Sequence, residues 1–468
     1  MTKIKLTTKS FADLPQKYCR VVLTEDKPNW HRLVEVKDGG LEYRMGAGKR
    51  KDMTVRKYRT LVRSIVQAAK SHKLSEIAIH LGPMGCPELE KKGSEWYFQT
   101  LAENLSLASY EFTKYKTTKS KDGLKEILVC GVTEIKDKKS FTTGLITGEA
   151  TNFTRDLANT TAEEMNPTSL AKAAKSAVSG TKALVKILSH KDIKKLKMGL
   201  LDAVGKGASD APKLILIEYW GAAKKAAPVA LIGKGITYDS GGLNVKPTGA
   251  MHEMHMDMSG GAAVIGAMRA IAKLGLKKNV VALIPAAENA ISAESMRAGD
   301  IATAMNGKTV EILHTDAEGR MVLADAMTYA EKFYKPKAIL DIATLTGAAL
   351  VALGQQASAV LTKDKDLQDQ LVEIGEDTGD LMWPLPLWDE YQASLKSTRA
   401  DYANIAKNFS HFGGCIEGGT FLSFFAPKGT PWAHIDMAPR MESIASDKLA
   451  KGAAGEPVKA LIKFVETS

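Results

Sequence analysis

From about residue 176 onward, apolar runs of strand length alternate with helical stretches rich in small residues, and this alternation narrows the fold more than any other feature of the chain. The runs are LILIEYW, VALIGKG, VVALIPAAEN, VEILHTDAEG and AILDIATLTG, with GGAAVIGAMRAIAKLG and RMVLADAMTYAEKF between them. Strand, helix, strand at this pitch predicts parallel βαβ units. Runs that are apolar at nearly every position are strands covered by helices on both faces, because a sheet wetted on one side would alternate apolar with polar residues. The fold class is therefore α/β with a mostly parallel central sheet. In such open sheets a ligand site lies beyond the carboxyl ends of the strands, so the residues after each run are where chemistry is expected.

After VALIG, the stretch KGITYDSGGLNVKP (residues 234–247) sets Lys234, Asp239 and Lys246 around Gly241 and Gly242. MHEMHMDMSGGAAV then brings Asp257 to the start of a helix. After VEIL, HTDAEGR holds Asp316, Glu318 and Arg320 at alternating positions, and an extended chain there would project all three to one side. Carboxylates held close together raise one another's pKa unless positive charge lies between them. Four of them, against one arginine and two lysines, are poorly compensated in a low-dielectric crevice, whereas divalent cations with oxygen ligands would stabilise them well. The residues thus predict a metal site with two ions, a pair that clamps an attacking water and a polarised carbonyl. A lysine ligates a metal only as the neutral amine. Lys234 could do so while Lys246 stays protonated beside a developing oxyanion, but spacing alone does not assign the two roles.

Other motifs carry less. DSGG around Ser240 resembles a serine-protease nucleophile, yet Tyr238 precedes it and the setting is α/β. His252 and His255 form HEMH, one residue short of the HExxH zinc helix, and are expected at the mouth of the site. The GKG triplets match no phosphate-binding loop. His434 in WAHIDMA reads as a core histidine.

The amino-terminal part differs. Short apolar runs (CRVVLTE, SEIAIHLG, KEILVCGVTE) mix there with lysine-rich segments, which predicts a smaller α/β domain over residues 1–150, joined through a helical connection at 151–175 to a catalytic domain at 176–468. In 151–175, Asn166 or Thr168 is placed to cap a helix. Leu61, Ile65 and Ala68 recur at helical spacing while Arg56, Lys57, Arg59 and Arg63 fall on other faces, so an amphipathic helix with a solvated basic face is expected. The formal charge of +11 is unevenly spread: residues 1–200 carry +15 and the rest −4. DNA binding by the basic part is therefore a secondary expectation, and assembly through it another. Cys19, Cys86, Cys130 and Cys415 lie far apart with no CxxC pair, the pattern of free, buried thiols. No apolar stretch has the ~18–20 residues of a membrane span. The start lacks the apolar core of a signal peptide, and a cytoplasmic location is expected.

Taken together, KGITYDSGGLNVKP, DMSGGAA, TDAEGR and DIATLTGA resemble in order and spacing the blocks of the leucine aminopeptidase (cytosol aminopeptidase) family, and WAHIDMA fits as well. The resemblance covers roughly residues 150–468. It implies a metalloprotease of the exopeptidase class that releases amino-terminal residues, preferably Leu and other large apolar ones. Lys234, Asp239, Asp257, Asp316 and Glu318 would ligate two divalent metals, Mn²⁺ or Zn²⁺, with Asp239 and Glu318 as bridges and a metal-bridged water as nucleophile. Lys246 would stabilise the developing gem-diolate, and Arg320 would hold a bicarbonate that shuttles the proton. Met254, Thr344, Leu345 and Gly347 would bind the substrate. A homohexamer, a dimer of trimers, is the implied assembly. Two positions depart from the family: His314 stands where Asn is usual, adding a titratable group, and Met321 replaces Leu at nearly equal volume.

Overall fold

In the computed structural model, which describes residues 2–28, 30–36, 39–80, 85–118, 123–407 and 412–468, the chain divides into two units. One comprises Met1–Asn152 with Ser443–Lys451, the other Phe153–Glu442 with Gly452–Ser468.

The first unit is built on a sheet of β1 (Lys3–Thr7), β2 (Cys19–Thr24), β3 (His31–Glu35), β4 (Leu41–Gly46), β5 (Glu76–Ile79) and β6 (Glu126–Cys130). Their spatial order is β1-β6-β5-β2-β4-β3. Neighbours run parallel except β3 and β4. The three apolar runs supply β2, β5 and β6, although Leu81 and Gly82 at the end of SEIAIHLG lie outside the described residues. Helices α1 (Val55–Ser71) and α2 (Pro87–Ser109) pack with this sheet, and α3 (Ile135–Asn159) follows.

The expected solvated basic face of α1 is only partly present. Arg56 and Lys57 are exposed, but Arg59 and Arg63 are buried and Leu61 and Ala68 half-buried. The apolar face is instead Val55, Tyr58, Val62, Ile65, Val66 and Ala69. The two arginines are tolerated inside because their heads find partners. Arg59 lies over the Trp96 ring at 5.6 Å, and Arg63 Nε donates to Asn104 Oδ1 at 2.7 Å. Arg63 Nη1 also donates to the carbonyl of Asp447 and Gln67 Nε2 to that of Lys448. These bonds fasten the returning segment Ser443–Lys451 to α1, a connection no local motif announces.

The second unit contains β7 (Leu184–Leu188), β8 (Lys213–Trp220), β9 (Val229–Gly233), β10 (Gly235–Asp239), β11 (Asn279–Asn289), β12 (Ile301–Thr303), β13 (Thr309–Glu311), β14 (Ala338–Ala343), β15 (Ser358–Leu361), β16 (Met382–Pro384), β17 (Tyr402–Ala403) and β18 (Trp432–Asp436). Its helices are α4 (Pro167–Ala177), α5 (His190–Lys195), α6 (Gly199–Gly205), α7 (Ser259–Leu274), α8 (Gly319–Tyr334), α9 (Gly347–Leu353), α10 (Lys365–Thr378), α11 (Gly414–Ser423) and α12 (Val458–Thr467). The main sheet follows the order β16-β15-β18-β14-β9-β11-β8-β7, with β10 paired to β11. β18, β14, β9 and β11 are mutually parallel, β8 and β15 run antiparallel to them, and β7 is antiparallel to its neighbour β8.

Every residue of β9 is buried, as a strand covered on both faces requires. The small residues of α7 have a packing reason. A Cβ on Gly260 would lie 2.2 Å from the carbonyl oxygen of Ile342 on β14, so helix and strand backbones touch. Asn166 caps α4 by accepting from Ser169 N. The run VEIL does not join the main sheet. Its β13 belongs to a separate three-stranded sheet, β12-β13-β17. HTDAEGR is not extended either: it turns at Thr315 and Asp316 and enters α8 at Gly319. Asp316 and Glu318 therefore converge through a turn and a helix start rather than by strand alternation.

Candidate metal centre

The main sheet delivers Lys234 and Asp239 from strand ends, while the remaining candidates come from the loop after β10 and from the starts of α7 and α8. Lys234 follows β9 directly, Asp239 ends β10, and the Asp239 and Asn289 positions are paired across β10 and β11. The chain then reverses through Gly241 and Gly242, whose φ values of +86° and +67° disfavour any residue with a Cβ. Space demands glycine there too, since a Cβ on Gly241 would lie 2.4 Å from the carbonyl oxygen of Asn244. The reversal closes with Lys246 N donating to the carbonyl of Ser240, which carries the Lys246 side chain back over the strand ends. Asp257 stands two residues ahead of α7. Asp316 and Glu318 arrive at the amino end of α8, where Gly319 allows close approach: a Cβ on it would meet Lys234 Cε at 2.6 Å.

Asp239, Asp316 and Glu318 each present an oxygen within 4.8 Å of the others. Asp257 joins them through Lys234, whose Nζ lies 2.8 Å from Asp257 Oδ2 and 2.8 Å from Glu318 Oε1. Lys246 Nζ lies 2.8 Å from Asp239 Oδ2 and 2.5 Å from Asp316 Oδ1. Two ammonium groups thus serve four carboxylates. Burial drives the Asp316 pKa up to about 7, with Asp239 and Glu318 adding to the rise and Lys246 opposing it. Glu318 and Asp257 are also raised, chiefly by burial. Asp239 is held low despite its burial, because both lysines face it. Burial alone would lower the two lysines, but the surrounding carboxylates hold both well above the ordinary range.

This donor set fits divalent cations. Glu318 Oε2 is buried without a hydrogen-bond partner among the described residues, and two lysines leave the negative charge of four carboxylates half-neutralised. An ion among the same oxygens would reverse the balance that keeps Lys234 protonated, releasing its amine as a ligand. Among the described residues, Arg320 forms no ion pair with the four carboxylates, although Glu417, Glu318 and Asp436 all favour its charge. Its guanidinium is buried, Nη1 donates to the carbonyl of Asn404 at 2.8 Å, and Nε has no hydrogen-bond partner among the described residues. A buried cation with an unused donor fits a small anion.

The other sequence-selected residues fall as follows. Thr344 Oγ1 donates to Asp257 Oδ1 at 2.6 Å, and the Thr344 carbonyl accepts from Lys234 Nζ at 3.1 Å. The Leu345 N–H is committed to Asp436. Gly347 is exposed at the start of α9, and Met254 is half-buried in the turn before Asp257. Ser240 is structural, its hydroxyl donating to the carbonyl of Asn289 and accepting from Gly242 N. His252 is exposed and His255 half-buried. His314 Nδ1 accepts from Asp316 N, so the residue braces the turn that carries Asp316. His434 is fully buried against Asp341, at 2.5 Å. All four cysteines are free and buried.

Three supporting residues escaped sequence reasoning. Asn289 Nδ2 donates to Asp239 Oδ1 at 2.8 Å and to the Thr315 carbonyl, tying the two halves of the site together. Its place at the end of VVALIPAAEN was the available signal. Asn404 brackets the HTDAEGR turn: its Oδ1 accepts from Leu313 N, its Nδ2 donates to the His314 carbonyl, and its own carbonyl holds Arg320. Nothing around it in sequence marks it. Asp436 lies within WAHIDMA but has no obvious partner in the linear chain.

Comparison with known proteins places this geometry among relatives. The model of the cytosol aminopeptidase family, catalytic domain, matches residues 152–462, and that of the family's N-terminal domain matches residues 44–119. A probable cytosol aminopeptidase of Azotobacter vinelandii is 43% identical over 429 residues, covering 90% of this chain and 84% of that protein. Another, of Paraburkholderia phymatum, is 40% identical over 425 residues, covering 90% and 82%. Among solved structures, a tomato leucine aminopeptidase variant superposes with a TM-score of 0.88 at 28% identity, covering 100% of this chain and 97% of that one. The bottromycin maturation enzyme BotP in complex with Mn does so with a TM-score of 0.86 at 28% identity, covering 100% and 99%.

Proposed function

The chain belongs to the cytosol aminopeptidase family and is an aminopeptidase, and from that premise we propose that it removes Leu and other large apolar residues from the amino termini of peptides with the help of two divalent ions, Mn²⁺ or Zn²⁺. The observation that carries this reading is the cluster of Asp239, Asp316 and Glu318 oxygens, with Glu318 Oε2 buried and without a hydrogen-bond partner among the described residues. Asp239, Asp257, Asp316, Glu318 and the neutral amine of Lys234 would hold the ions. When bound, such ions supply Lewis-acid polarisation of the scissile carbonyl and an activated water.

The chain's own groups do the rest. Lys246, whose carboxylate neighbours favour its charged form, keeps an ammonium beside the carbonyl oxygen and stabilises negative charge as it develops there. Arg320, with Nε open, would hold a bicarbonate, which supplies a base for the proton that the leaving amine finally takes. Met254 walls the side-chain pocket. Thr344, Leu345 and Gly347 line up the peptide; with its N–H held by Asp436, Leu345 has its carbonyl to offer.

Release of free leucine from leucine amide, supported by Mn²⁺ or Zn²⁺ and stopped by a chelator, is the expected result. Its absence from a metal-loaded protein overturns the reading. A cytoplasmic homohexamer built from two trimers belongs to the same proposal, and light scattering coupled to size exclusion tests the assembly. DNA binding by the first unit is the lesser reading, because two of the four α1 cations counted for a basic face are buried.

A further inference from the structure

We infer that Asp436 is a positioning residue that acts on Lys234 through a single peptide plane. Asp436 ends β18 beside Ala343, its register partner at the end of β14, and is fully buried. Its carboxylate collects four donors among the described residues. Oδ1 accepts from Leu345 N at 3.0 Å and Ala438 N at 3.2 Å; Oδ2 accepts from Thr346 Oγ1 at 2.7 Å and Cys415 Sγ at 3.6 Å. All four are neutral. Arg320 and His434 face its charge without a hydrogen bond to it among the described residues. A buried carboxylate with only neutral hydrogen-bond donors is costly to keep, and the ladders of β18 to β14 and β15 do not need it.

What it does supply is direction. The Leu345 N–H and the Thr344 C=O belong to one planar trans peptide, in which the two groups point opposite ways. Drawing the N–H to Asp436 on one side turns the carbonyl to the other, where it accepts from Lys234 Nζ at 3.1 Å. The Thr344 hydroxyl meanwhile holds Asp257, so this short segment is pinned to the metal-holding side chains at one end and to Asp436 at the other. As a neutral amine Lys234 has two N–H groups and one lone pair, and a fixed acceptor for one N–H constrains where the lone pair points. Asp436 therefore tunes the ion that Lys234 would ligate while making no contact with it.

This inference rests on the two-ion reading above, and Mn²⁺ binding by the full chain, measured calorimetrically with the metal alone, separates their fates. Lys234→Met identifies the ion concerned. Asp436→Ala is expected to weaken that ion at least tenfold and leave the other within twofold. Asp436→Asn, which keeps an acceptor for Leu345 N–H, should bind both within about threefold of the parent. Equal weakening of both ions, or none, in Asp436→Ala overturns the inference, as does an Asn variant as impaired as the Ala variant. Should Asp436→Ala not fold, Thr346→Val decides. Loss of that hydroxyl bond is expected to weaken the same ion by two- to fivefold, and unchanged binding of both overturns the inference. A parent that binds two Mn²⁺ but cleaves no leucine amide refutes the aminopeptidase reading alone. A parent that binds no Mn²⁺ refutes both.

Discussion

At the scale of single residues, the two lysines of the site are separated by what surrounds them. Lys234 is enclosed by carboxylates and a peptide carbonyl, whereas Lys246 hangs over Asp239 and Asp316 from a glycine-hinged loop. The expected consequence is that Lys246→Ala retains both ions and loses about 10²–10³ in kcat, the usual effect of removing one charge-stabilising donor. Metal content and rate measured on the same preparation check it, and loss of metal with the rate would show that the two lysines share one role. All seven charged residues selected from sequence are in or beside the site; Lys234 and Asp239 were conspicuous as charges at apolar strand ends, and the others as charges in short glycine-containing stretches beside small-residue helices. Asn289, Asn404 and Asp436 were not legible in that way. They act by accepting and donating hydrogen bonds across gaps of tens of residues in the chain, and a polar residue in a linear sequence gives no sign of its partner.

At the scale of elements, apolar continuity identified β8, β9, β11 and β14, since burial on both faces leaves a mark on every residue. It misled at VEIL, where three residues of strand in a small sheet share the composition of a core strand. Helix α8 shows how an element holds the site from behind. Asp325, fully buried in its middle, accepts from Leu200 N, Leu201 N and Met305 N, and so fixes the start of α6 and the turn after β12. Asp325→Ala leaves three buried donors without an acceptor and should destabilise the fold by about 3 kcal/mol in denaturant titrations. Burial raises the Asp325 pKa to about 7 even against these three bonds. Because the folded state holds that proton more tightly than the unfolded one, the stability it contributes is complete below about pH 4 and is lost as pH rises through about 7. Asp325→Asn should flatten the stability profile over that window.

At the scale of the whole molecule, charge divides along the chain: residues 1–200 are strongly basic, while the later part is slightly acidic and gathers three carboxylates in one cluster with a fourth joined through Lys234. Ions bound there and not to the unfolded chain stabilise the fold by mass action, about 2.7 kcal/mol for each at a hundredfold excess over its Kd. Calorimetric melting should accordingly move up with Mn²⁺ and down with chelator, and a melting temperature indifferent to both would contradict a resident metal pair. The division into units has another outcome. Ser443–Lys451 completes the first unit, held there by Arg63 and Gln67 of α1. During synthesis the residues up to 152 must therefore wait for residues 443–451, some three hundred positions later, to leave the ribosome before their unit can be finished, and a truncated chain ending near residue 150 would leave it permanently unclasped.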